Sequence, residues 1–128
     1  MKVTVYHRET IDPRQEQCEF DAVAIVNAEG MDSVNQALEY AYRVTNNING
    51  SWSQGPTIEW DGVTLDNNDF DPNVEFIGKY PVGKDGTVYG ARSTSVMDMM
   101  VIDGVLYEVA GMGFKKLYDT SIKLAATA

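Results

Sequence analysis

Histidine and cysteine are almost missing from this sequence: His7 and Cys18 are the only examples. A structural zinc site takes four Cys or His ligands, so no zinc site and no other metal or cofactor is expected. A single cysteine cannot close an internal disulfide, which fits a reducing compartment. Long apolar runs are missing too, and none approaches the roughly 18–20 residues that span a membrane. The opening Met1-Lys2-Val3-Thr4-Val5-Tyr6 alternates polar with apolar and has no apolar signal core. The expectation is a soluble chain, working in the cytoplasm, with no membrane partner.

Basic residues are scarce. Ten Lys and Arg stand against nineteen Asp and Glu, a net charge of −9. Binding to nucleic acid or to an anionic membrane needs a basic face, so direct nucleic-acid contact is disfavoured. The imbalance is concentrated in one stretch. From Arg43 to Lys79 there is no intervening Lys or Arg, while Glu59, Asp61, Asp66, Asp69, Asp71 and Glu75 all fall inside that gap. Such a stretch is either a solvated loop or a negative surface for a basic partner.

What is present describes one folded unit. At 128 residues and 44% hydrophobic content the chain suits a single core. Alternation predicts a strand at Lys2–His7, with Val3 and Val5 on one side. Phe20–Gly30 reads as a second strand closed by Gly30, and its continuously apolar core, Ala22–Val26, predicts that it is central. Asp32 or Ser33 caps a helix whose stripe is Val34, Leu38, Ala41, Thr45 and Ile48. Asn, Gly and Pro stop it, and Trp52 just beyond is a natural plug over one end of the core. Asp61-Gly62 suits a type I′ turn between Ile58–Trp60 and Val63–Leu65. The run "DNNDFDPN" is expected on the surface. Met99–Ile102 and Val105–Val109, joined by Asp103-Gly104, close the fold as a C-terminal hairpin, and Gly111 and Gly113 mark a bend. Alternation leaves one of Met99 and Met100 free to face outward. The fold expected is α+β, one main helix on a mostly antiparallel sheet, with a single domain over residues 1–118 and a loose tail over 119–128.

No catalytic set can be assembled. Any Ser-His-Asp arrangement must use His7, expected at a strand end near the surface, and no nucleophile elbow is present. A calcium loop started at Asp69 meets Val74 where glycine is needed and Tyr80 where glutamate is needed. Gly111-Met112-Gly113 lacks the third glycine of a dinucleotide fingerprint. That leaves the polar knot Arg92-Ser93-Thr94-Ser95. Ser95 lies three residues before Asp98, the spacing of a local cap. Arg92 beside hydroxyls is also chemically able to hold an anion, so Arg92, Ser93 and Ser95 are the alternative site.

The pattern Arg92-Ser93-Thr94-Ser95-Val96-x-Asp98, followed by Asp103-Gly104, Tyr107-x-Val109 and Gly113-Phe114, resembles a module in small proteins of phages, plasmids and conjugative elements. YodL-like proteins near antirestriction genes have a similar ending, and the helix "ALEYAYRVTNNINGSWS" also looks like part of such proteins. The module usually reads S-V-G-D; Met97 stands at the glycine, which argues against a left-handed turn there. The resemblance implies mobile-element biology in a bacterial cytoplasm. In that setting the acidic stretch suggests a non-enzymatic inhibitor of a host defence nuclease complex, of the anti-CRISPR or antirestriction type. Its contact residues are expected to be Glu59, Asp61, Asp66, Asp69, Asp71 and Glu75, with Trp52 and Trp60 as anchors. A small-ligand module and a structural or replication-accessory phage protein remain the alternatives.

Overall fold

The computed structural model describes residues 1–8, 19–117 and 123–124. Strands β1 (Lys2–Arg8) and β2 (Glu19–Asn27) precede the helix α1 (Val34–Val44). They are followed by β3 (Thr57–Trp60), β4 (Val63–Asp66), β5 (Val74–Phe76), β6 (Met99–Ile102), β7 (Val105–Val109), β8 (Phe114–Leu117) and β9 (Lys123–Leu124). The main sheet runs β5-β2-β1-β6-β7-β8, with β9 pairing β2, and β3-β4 form a separate two-stranded ribbon. Every pairing is antiparallel except β2 with β9. Among the described residues the fold is therefore mostly antiparallel sheet with one short helix, a more β-rich arrangement than the sequence suggested. The pairing of Lys123–Leu124 with Glu19–Phe20 attaches two residues of the expected tail to the sheet. The remainder of that tail, and Cys18, lie outside the described residues.

Both faces of the sheet are covered. On the helix side Val3, Val5, Ala24, Val26, Met100 and Ile102 pack with Ala37, Leu38, Ala41 and Trp52. On the other side Tyr6, Phe20 and Met99 form a smaller cluster. Met99 and Met100 point to opposite faces, yet both are buried, so neither is left for a partner. A bulge explains the unbroken apolar run in β2. Val5 pairs Ala24 and Tyr6 pairs Ala22, which leaves Val23 as an extra residue. The inserted residue switches the parity of the strand. Phe20 and Ala22 serve the smaller cluster, and Ala24 and Val26 serve the larger.

Ser33 caps α1, its Oγ accepting from the Gln36 N–H at 3.1 Å. The helix stops at Val44 rather than continuing to Ile48, which is 65% exposed. Thr45 closes it from inside, its hydroxyl donating to the Ala41 carbonyl at 2.7 Å. The segment after the helix is held by residues the sequence placed on the surface. Asn67 is buried; its Nδ2 donates to the Ser51 and Gly55 carbonyls, and its Oδ1 accepts from Ser51 N–H. A side chain at Gly50 would overlap Asn67, so the close approach requires glycine.

Candidate functional site

The polar knot and the acidic stretch are each built differently from the sequence expectation. At the knot, four segments converge on two buried residues, Thr94 and Asp98. Asp98 accepts two bonds from Arg92, at 2.7 and 2.8 Å, and one each from the backbone N–H groups of Arg8 and Ser95, both at 2.8 Å. Burial pushes its carboxyl pKa up, but the Arg92 guanidinium and the two N–H donors outweigh this and hold it below the ordinary value. Half of the expected Ser95–Asp98 cap is present: the Asp98 carboxylate takes the Ser95 N–H, while Asp98 N–H donates to the Ser95 carbonyl at 3.0 Å in place of the hydroxyl.

His7 is not at the surface. It lies 7% exposed on the helix side of β1, its ring edge-on to Trp52 at 5.9 Å between centroids. Burial lowers its pKa to about 4, against the pull of Asp98 and with a further push from Arg92. His7 is therefore neutral at physiological pH. Its Nε2 lies 2.8 Å from Thr94 Oγ1, which lies 2.8 Å from Thr45 Oγ1. Because Thr45 spends its proton on the Ala41 carbonyl, the Thr94 hydroxyl must donate to Thr45 and accept from His7. The proton therefore sits on Nε2, and the relay runs from β1 through the knot to the end of α1. A nucleophile needs the opposite polarity, with its hydroxyl donating to the imidazole. Thr94 is also only 2% exposed, so this composition of His, Thr and Asp is a packed lock between elements.

The same geometry counts against the anion reading. Both terminal nitrogens of Arg92 are used, on Asp98, on the Arg8 carbonyl and on the Ser93 carbonyl. Ser93 Oγ accepts from Asn47 N–H, and Thr94 turns inward. Arg92, Ser93 and Ser95 therefore form a structural junction whose charge is already neutralised. Met97 also departs from expectation, taking φ 77 at the position of the module's glycine. Its turn is held by Met97 N–H to the Val109 carbonyl at 2.7 Å, and its Sδ accepts from Arg8 Nη1 at 3.1 Å.

The eight expected contact residues separate into three groups. Trp52 is 2% exposed, with Nε1 donating to the Arg92 carbonyl at 2.8 Å, so it is a core plug and not an anchor. Asp69 turns inward, where Oδ2 accepts from the N–H groups of Ile48, Asn49 and Gly50 at 2.6–2.9 Å. Asp71 accepts from the Tyr40 hydroxyl at 2.8 Å. Asp69 holds the loop to the segment after the helix and Asp71 holds it to the helix, so neither is part of a free acidic face. Glu75 is exposed on the edge strand β5.

The remaining four, Glu59, Trp60, Asp61 and Asp66, all lie on the β3–β4 ribbon. Asp61 and Gly62 take φ 50 and 79, the left-handed pair of a type I′ turn. The register pairs Trp60 with Val63 and Ile58 with Leu65, and places Glu59 opposite Thr64 and Thr57 opposite Asp66. Alternation then puts Ile58, Trp60, Val63 and Leu65 on one face and Thr57, Glu59, Thr64 and Asp66 on the other. Trp60 is 73% exposed, Val63 56% and Leu65 48%. The ribbon thus carries an uncovered apolar face, backed and tipped by carboxylates. Val63 and Leu65 were read from the sequence only as strand residues; the hairpin register, once drawn, would have placed them beside Trp60.

No family model matches the chain, and neither a curated protein nor a solved structure matches it. No helix among the described residues is long and apolar enough to cross a membrane.

Proposed function

We propose that this chain is a non-enzymatic interaction protein that docks through the β3–β4 ribbon onto a basic, nucleic-acid-binding surface of another protein and blocks it. The observation that carries the reading is the segregation of Ile58, Trp60, Val63 and Leu65 from Glu59 and Asp66 across one exposed ribbon. A large aromatic on an otherwise solvated element is the kind of anchor that dominates interface energetics. Carboxylates around it steer it toward Lys and Arg, and compete with phosphates for them. A bacterial defence nuclease carried against by a phage or mobile element is the target class that fits this chemistry, and the resemblance of the Arg92–Phe114 segment supports that setting.

The test is capture of partners by the wild type and by a Glu59→Lys, Asp61→Lys, Asp66→Lys variant. The expected result is a nucleic-acid-binding protein retained by the wild type at low salt. It is released by high salt or by competing DNA, and the variant does not retain it. Equal retention by the variant removes the ribbon from the interface.

A further inference from the structure

A second feature involves none of the ribbon residues. A cleft of about 260 Å³ opens between the outer edge of α1 and the β7–β8 turn. Val96 and Val109 line it with the rings of Tyr42 and Phe114, which meet edge to face at 6.4 Å and 76°. Gly111 and Gly113 contribute backbone alone to its lining. Glu39 supplies the one acidic group of the lining. Its carboxylate accepts a long bond from Asn35 Nδ2 at 3.3 Å.

We infer that this cleft binds a small organic cation: a primary ammonium on a short apolar or aromatic body. The volume is at the low end for ligand sites, which suits a molecule of roughly ten heavy atoms and excludes nucleotides and larger cofactors. The apolar floor takes the body. The aromatic lining of Tyr42 and Phe114 suits a cation on an apolar body, and Glu39 in the same lining supplies the counter-charge. The broader hollow on the other side of Glu39, about 610 Å³, has Arg43 on its wall as well as the carboxylates of Asp32 and Glu39, and the guanidinium repels a cationic guest. The apolar cleft is the selective one.

The experiment is an amide-resolved NMR titration of the full chain with phenethylammonium, and with phenethyl alcohol as the uncharged counterpart. Saturable shifts are expected at Tyr42, Val96, Ala110, Gly111 and Phe114, with the alcohol at least about ten-fold weaker. Glu39→Gln keeps a good helix former on an exposed position, so the fold survives, and it is expected to weaken the ammonium about ten-fold while leaving the alcohol unchanged. Val96→Phe, at a half-exposed position, fills the cleft and abolishes both. Shifts that do not saturate, that fall elsewhere, or that are the same in Glu39→Gln overturn the assignment. None of these outcomes bears on the ribbon.

Discussion

The Asp98 junction shows how single residues set the acid stability of this protein. His7 is neutral when folded, with its pKa at about 4, while the unfolded chain's histidine titrates near 6.5. Between those values the unfolded state binds the extra proton, so stability falls as pH drops from about 6.5 to about 4. The loss attributable to His7 is about 3 kcal/mol. Asp98 is also held below its ordinary value, so its contribution is intact above that value and is lost as pH falls through the lowered one. His7→Gln keeps an N–H donor toward Thr94 but does not titrate. Urea unfolding at pH 7 and pH 4.5 is therefore expected to show a smaller drop in stability for His7→Gln than for the wild type, and equal drops would exclude neutral His7 burial. Little of this was legible beforehand. The Ser95-x-x-Asp98 spacing announced a cap, but His7 and Thr94 lie 87 residues apart and Thr45 and Thr94 lie 49 apart. Nothing local marks a relay built across such separations.

At the scale of elements, local chemistry predicted the turns better than the faces. Asp61-Gly62 announced its type I′ turn, since only short polar residues and glycine take positive φ readily. Met97 broke the same rule because the Val109 carbonyl and Arg8 hold it from both sides. That strain is measurable. Met97→Gly is expected to raise the melting temperature slightly, and Met97→Val, with a β-branched side chain at φ 77, to cost more than about 1 kcal/mol. A destabilised glycine variant alongside an unaffected valine variant would mean that the turn is not left-handed in solution. The apolar pattern marked β2 as a central strand, as observed, but the bulge at Val23 hid which residues serve which face, because a parity switch looks like a continuous apolar run. The two tryptophans separate core from surface in the same way. Trp52→Ser is expected to cost at least about 3 kcal/mol, and Trp60→Ser less than about 1 kcal/mol, in thermal or urea unfolding. A large loss from Trp60→Ser would place that ring against the sheet.

For the whole molecule, a net charge of −9 is compatible with many roles, and the fold narrows them by showing where the charge is free. Asp69, Asp71 and Asp98 are engaged inside the structure, on backbone N–H groups, a tyrosine and an arginine. Glu59, Asp61 and Asp66 are left around an exposed apolar ribbon. The sequence marked the acidic stretch as a unit; only the three-dimensional register divided it into carboxylates that build and carboxylates that face outward. The central claim is that this ribbon is the contact surface. Its most direct test is site-specific photo-crosslinking in the cell that naturally expresses the protein. A photoreactive phenylalanine analogue is placed at position 60, and at position 82 as a control on a different exposed loop. The account predicts a discrete adduct from position 60 that disappears when Glu59, Asp61 and Asp66 are changed to lysine, and none from position 82. Adducts from position 82 alone, or an adduct at position 60 indifferent to the charge reversal, would contradict it.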